Sequence, residues 1–564
     1  MFWGSFWKHR KTLEAQYRDT NWEEASGQSQ EALEEEAVAL TQRLTAERLP
    51  KPLIKARLFA YALDHAQLAV VPEELFQDHI RHGFVVQKQR ATWEQEVNQH
   101  ALAGVVAACA SMYAAGAYQA INDFGHTVPD WYDVLRLGYP GLLARVRLAR
   151  QTRQVAGTLT AEQTIFYDAS ILTYEAVLRY LQRMGNLCAD KADAFDGEDG
   201  ERLRYCAAEL HALAEHAPQT LHQALQATFL FHILQEEMEG ERLRSLGGLD
   251  REFAKFQQRE TADGTLTDAQ TVELWQDFFQ KFHALTGDAL FGEPMYLGGT
   301  LADGSCAVND TTYTILHAYD SLQIANPKFH IRIASDTPAR FLREVLDCIR
   351  RGNSSFVFVS DDCAIPMMQR LGVPVEEARE YVPVGCYEPG ILGREVACTG
   401  NGGVSMPKAV ELALNDGMDG LTGQQIGPHT GKPECFATFA MLCDAVKAQL
   451  AHLMQCMMRN VCALEVHYME INPSPLFSAT MRECVEAGVD AYAGGAKYNN
   501  SSLYLYGNGT MADELAMIKK WVYQRQTLTL PALVGILQNN WEGQELLRMR
   551  MKHDPDKWGN NRSL

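Results

Sequence analysis

Val382-Pro383-Val384-Gly385-Cys386-Tyr387-Glu388-Pro389-Gly390 sets a thiol and a carboxylate two residues apart in a segment framed by proline and glycine. Helical patterns flank it on both sides, so the segment reads as a loop. Pro389 disfavours the α region for Glu388 and makes it extended. Residues i and i+2 of an extended segment project to one side, so Cys386 and Glu388 point together and Tyr387 points away. Gly385 lets the backbone turn tightly just before the thiol. A polar cysteine nucleophile needs a base to form thiolate, and no His lies in the loop. A metal site needs further Cys or His at short spacing. A neighbouring carboxylate disfavours thiolate, and a neutral thiol is what a hydrogen-atom carrier requires. On residue types alone, a structural cysteine and a radical cysteine both stay open.

Outward from this loop the chain changes texture. Residues 28–47, 166–184 and 203–239 carry apolar residues at three- and four-residue spacing and predict helices. From about 290 onward short strand-like runs appear at Thr311–Leu316, Phe329–Ile333, Ser355–Val359 and Ser502–Tyr506. Helical stretches at 338–350, 366–371, 406–416, 437–468 and 510–524 separate most of them. Alternating strands and helices argue for an α/β fold, here with a mainly helical portion over 1–290 and the strands over 291–564. The Gly-rich stretch 415–434 reads as an excursion between helices. No linker or internal repeat divides the 564 residues, so a single domain is expected.

The net charge of −20 repels phosphate backbones and anionic lipid heads, which argues against nucleic-acid or membrane-surface partners. No run approaches the ~20 apolar residues of a membrane span. The aromatic start, Phe2 to Trp7, runs into Lys8, His9 and Arg10, whereas a secretory signal places its charge first. The thirteen cysteines form no CxxC pair, and a chain of this length needs no disulfide framework, so reduced thiols and a cytoplasmic setting are expected.

Gly385-Cys386-Tyr387-Glu388-Pro389 resembles the Gly-Cys-x-Glu-Pro loop of glycyl radical enzymes of the dehydratase and lyase kind, within the pyruvate formate-lyase-like superfamily. Other segments resemble the same family in the same order. They are Gly125-His126-Thr127-Val128-Pro129-Asp130, Gly292-Glu293-Pro294 with Leu297-Gly298-Gly299, Asn326-Pro327 through Arg332, Gly494-Gly495-Ala496-Lys497-Tyr498-Asn499, and Asn540-Trp541-Glu542-Gly543. The resemblance runs from about residue 30 almost to the end.

The resemblance implies a ten-stranded α/β barrel of two five-stranded half-barrels surrounded by helices. Inside it a cysteine loop meets a glycine loop, and water and oxygen are excluded. It implies that Cys386 is the thiyl site and Glu388 its acid/base partner. It implies a radical lyase or dehydratase acting on a small polar substrate through C–O, C–N or C–S elimination. An arylacetate-type decarboxylase and a non-catalytic, partner-binding paralogue are the alternatives. Gly385 stands where pyruvate formate-lyase relatives carry a second cysteine, which disfavours acyl transfer. His126 and Thr399 occupy positions that approach the substrate in some relatives. His330 and Arg332 share one face of a strand by period-two alternation and are candidate substrate contacts, an internal ion pair being the other reading. No metal ligand set is expected.

The glycine loop, Arg-Val-x-Gly-Tyr or a close variant, is absent from these 564 residues. The expectation is therefore an incomplete barrel with no radical glycine of its own and no cofactor bound. Either the chain is truncated, or a separate glycine-loop polypeptide would complete it. An iron–sulfur, S-adenosylmethionine-dependent activating enzyme would install the radical on that partner. A homo- or hetero-oligomer is expected. A further departure, Asn500-Ser501-Ser502-Leu503-Tyr504, replaces a Thr-Gly-Pro-Gln-like run and leaves the substrate open.

Overall fold

The computed structural model describes residues 2–18, 30–65, 68–79, 84–243, 245–286, 293–386, 388–396 and 401–557. Twelve short strands lie among helices. They are β1 (Tyr118–Ala120), β2 (Gly125–Thr127), β3 (Arg242–Leu243), β4 (Pro294–Gly298), β5 (Lys328–Ile333), β6 (Phe356–Ser360), β7 (Tyr381–Val384), β8 (Glu388–Ile391), β9 (Glu395–Val396), β10 (Gly402–Ser405), β11 (Tyr498–Asn499) and β12 (Leu503–Tyr506). Among the described residues, ladder hydrogen bonds join them in groups of two or three. The chain forms two compact units, each drawn from three separate segments, so no single cut divides it. One unit comprises Met1–Glu94, Phe124–Cys398 and Met469–Asn500; the other comprises Gln95–Asp123, Thr399–Tyr468 and Ser501–Leu564.

In the first unit β4, β5 and β6 form a parallel sheet with Tyr296, His330 and Val357 in register, and Gly298, Arg332 and Val359 two residues on. The alternation read from the sequence holds along β5. Phe329 packs with Phe279, Tyr319 and Phe356 in an aromatic core, ring centroids 4.6–6.2 Å apart. His330 and Arg332 therefore face the other way, and both are fully buried. β7 and β8 form an antiparallel hairpin, and β2–β3 and β9–β11 are short parallel pairs.

Local chemistry sets the helix boundaries. Asp130 caps the helix Trp131–Val155 through the Asp133 amide at 3.0 Å, and Thr160 with Gln163 forms a capping box for Ala161–Ala192. In the second unit β10 lies between β1, antiparallel, and β12, parallel. The helices Met406–Leu414, Phe439–Glu465 and Leu530–Gln538 meet in a core that includes Leu414, Leu442, Val446, Trp521 and Leu533.

Two expectations are corrected. Thr311–Leu316 is helical, within Asp310–Leu322. Its β-branched residues suggested a strand, but Asn309 accepts from the Thr311 amide and Thr312 accepts from the Asn309 amide, a capping box that starts a helix. Ile315, Leu316, Tyr319 and Leu322 then share its buried face. The stretch 203–239 is interrupted: one helix ends at Glu215, Pro218 follows, and a second begins at Leu221 with Thr220 as its cap. Pro294–Gly298 is the fully buried strand β4. No helix among the described residues is long and apolar enough to cross a membrane.

Candidate active site

The hairpin β7–β8 carries the cysteine loop. Val384 and Glu388 form its last pair, and Gly385 and Cys386 lie at the tip. Glu388 sits in the extended conformation that Pro389 requires. Its Oε2 accepts a 3.0 Å hydrogen bond from the Cys386 amide, so the carboxylate folds back over the thiol-bearing residue. Gly385 adopts φ 57°, and a Cβ there would stand 2.4 Å from His126 Cδ2 and 3.4 Å from Glu388 Oε2. The absence of that Cβ lets the His126 imidazole and the Glu388 carboxylate converge at Gly385, the residue before the cysteine. His126 itself takes φ 59°. A non-glycine residue in the left-handed region is uncommon and clusters at functional sites. The expected loop tip is present, and the Glu388 carboxylate bonds the Cys386 backbone amide.

One expectation is not met by this chain on its own. The resemblance implied an enclosed thiol, but Cys386 is exposed. Cys386 stands beyond the buried β7 strand, and the described residues do not cover it.

Arg332 is corrected as a substrate contact. Its guanidinium is fully buried and donates to both Asp361 carboxylate oxygens at 2.9 and 3.0 Å, to the Tyr381 carbonyl at 2.9 Å and to the Arg379 carbonyl at 2.9 Å. It also lies 3.9 Å from the Tyr381 ring centroid. Burial would raise the Asp361 carboxyl, yet Arg332 more than offsets this and holds it below its ordinary value. Gly299 makes room for the pair, since a Cβ there would meet Arg332 Nε at 2.7 Å and Asp361 Oδ2 at 2.9 Å. Arg332 therefore fixes the start of the hairpin strand β7. Arg332→Met is expected to cost ~3–5 kcal/mol, because it strands the Asp361 carboxylate unpaired in the interior. A shift in the urea midpoint would measure it. The lowered Asp361 value means the pair's contribution is complete above about pH 4, the ordinary Asp range, and disappears only as pH falls through the lower folded value.

His330 is fully buried and engaged within the protein. Its Nε2 lies 2.8 Å from the Cys386 carbonyl oxygen. Thr399 lies outside the described residues. Two groups of potential metal ligands occur away from the hairpin. Glu74, Asp78 and His79 share their space with the Lys281 ammonium, which bonds Glu74 at 2.8 Å and also Asp78. His232, Glu236 and Glu293 bring their ligand atoms within 4.8 Å of one another.

Asp361, at the start of the helix after β6, was missed in the sequence. An acid directly following a predicted strand, with a buried Arg on the neighbouring one, was its only signal.

The structure thus presents a thiol-bearing residue and a carboxylate at a hairpin tip, supported by buried parallel strands of an α/β protein. The family model described as pyruvate formate lyase-like matches residues 82–564, and the chain belongs to that family. Its relatives and structural neighbours are glycyl radical enzymes. Among curated relatives, (2S)-3-sulfopropanediol dehydratase of Klebsiella oxytoca is 28% identical over 437 residues, 75% of this chain and 53% of the relative. Trans-4-hydroxy-L-proline dehydratase of Clostridioides difficile is 28% identical over 402 residues, 68% of this chain and 50% of the relative. The chain thus spans about half the length of the curated relatives it matches. The glycerol-bound B12-independent glycerol dehydratase of Clostridium butyricum superposes with a TM-score of 0.84 at 21% identity, covering 98% of this chain and 76% of that one. The fold is that of the glycyl radical enzyme barrels.

Proposed function

We propose that this chain is the thiyl-bearing component of a glycyl radical dehydratase or lyase that acts on a small polar substrate. The observation that carries the reading is the Cys386–Glu388 hairpin, with the carboxylate bonded to the cysteine's own amide and His126 beside it. The thiyl form of Cys386 takes a hydrogen atom from a substrate carbon that bears a hydroxyl. Glu388 accepts the proton of that hydroxyl, and His126 orients it by hydrogen bonding. The resulting ketyl radical expels a group from the adjacent carbon. Where that group is hydroxide, Glu388 returns the proton and water leaves. The carbonyl-stabilised radical then regains the hydrogen atom from the Cys386 thiol, which restores the thiyl. The dehydratases among the relatives support elimination of this kind, and the single cysteine at the tip leaves no second thiol for acyl transfer.

The radical itself comes from a glycine outside residues 1–564, on a glycine-loop segment that packs over the exposed Cys386. An S-adenosylmethionine-dependent iron–sulfur activating enzyme installs it there.

Glu388→Gln tests the acid/base role. The amide keeps the size and an acceptor oxygen for the Cys386 amide but cannot take a proton. Turnover in a reconstituted system should fall ~10²–10⁴-fold, the usual worth of general acid/base help. Hydrogen exchange between deuterated substrate and Cys386 should persist. Unchanged turnover would remove Glu388 from the mechanism.

A further inference from the structure

We propose that His330 is a positioning residue for Cys386, holding the cysteine's carbonyl so that the thiol stays aligned for hydrogen-atom transfer. The inference rests on the thiyl reading above and extends it to a residue that does not touch substrate.

A carbonyl oxygen can only accept, so the 2.8 Å contact requires a hydrogen on His330 Nε2. Burial pushes the imidazole down to about 4, against which the bond to Cys386 raises it and the Lys328 charge lowers it. The ring is therefore neutral, and with Nε2 protonated Nδ1 carries no hydrogen. Nδ1 indeed has no hydrogen-bond partner among the described residues. The ring cannot reverse its roles without losing the carbonyl and burying a second unpaired group.

The Cys386 peptide is consequently pinned at both ends. Its N–H is held by Glu388 Oε2 at 3.0 Å and its C=O by His330 at 2.8 Å. The two anchors differ in mobility. Glu388 is half-buried and belongs to the proposed chemistry, whereas His330 is fully buried in the centre of β5, between Tyr296 of β4 and Val357 of β6. The parallel sheet thus extends one donor to Cys386, the exposed residue at the hairpin tip. Hydrogen-atom transfer requires contact distances, and a misplacement of about 1 Å can cost ~10²-fold in rate.

Gln and Met at position 330 have nearly the same shape and differ in the N–H donor, so His330→Gln and His330→Met isolate the hydrogen bond. Two readouts separate this inference from the thiyl reading. The first needs no turnover: amide hydrogen exchange at residues 384–388 in the chain alone. It should quicken ~10-fold in His330→Met, the scale of one lost buried hydrogen bond, and stay near the native rate in His330→Gln. The second is steady-state kinetics in the reconstituted system. His330→Met should lower kcat ~10–100-fold with KM within about twofold, and His330→Gln should recover most of kcat. Equal exchange rates in the two variants, or a loss that appears in KM with kcat intact, would overturn the proposal. A Cys386 variant that still turned over would defeat the thiyl reading and leave the exchange result standing.

Discussion

Replacing Cys386 with serine or alanine eliminates turnover altogether in any reconstituted system, while the chain keeps its fold. Both halves of this expectation follow from the hairpin. Cys386 is exposed at the hairpin tip, so removing its sulfur forfeits little buried surface. The two backbone hydrogen bonds that fix the residue use its amide and carbonyl, which serine and alanine retain. The chemical loss is complete, because a hydroxyl does not yield a radical able to exchange hydrogen reversibly with a substrate carbon, and a methyl side chain offers no labile hydrogen. The measurement is product formation under anaerobic conditions, with the urea midpoint recorded in parallel. Activity surviving in Cys386→Ser would sink the thiyl mechanism. A collapse of the midpoint would assign the residue a structural role.

The sequence made the loop around Cys386 legible because its information is local, although strands β7 and β8, rather than the expected helical patterns, flank it directly. Pro389 dictates the backbone of Glu388, Gly385 permits the turn, and the i, i+2 spacing does the rest, all within nine residues. The two faces of β5 were legible for the same reason, since Phe329 and Ile331 alternate with His330 and Arg332. What those faces meet was not. Arg332 looked available to an anionic substrate until the fold brought Asp361, 29 residues later, into a bidentate pair with it. His330 was a plausible substrate ligand until the hairpin tip, 56 residues on, placed a carbonyl on its Nε2. Both residues support the site from within rather than line it. Periodicity tells which side of a strand a residue faces, and only the tertiary pairing tells what occupies that side. Thr311–Leu316 failed for a related reason, because four β-branched residues among six outvoted a capping box that lay just upstream.

The chain of 564 residues, treated alone with a competent activating enzyme and S-adenosylmethionine under anaerobic conditions, is expected to give no glycyl radical signal by electron paramagnetic resonance. With a glycine-loop polypeptide added, the characteristic doublet and turnover should appear together. The proposal is motivated by an exposed thiol that bears a buried support. The sheet strands, the Arg332–Asp361 pair and the His330 Nε2 donor all hold the hairpin from its interior side. The other side, where a thiyl would have to meet both glycine and substrate, is open at Cys386. A thiyl facing water and oxygen would be quenched before it turned over, so catalysis requires a cover, and the least elaborate cover is the segment that delivers the radical. Site-resolved alkylation of Cys386 offers a second reading of the same event. Labelling should be fast in the chain alone and fall ~10-fold or more once the glycine-loop polypeptide binds, as burial of the thiol withdraws it from solvent. A glycyl doublet from the chain alone would refute the separate-glycine proposal. Undiminished alkylation in a complex that turns over would refute the cover.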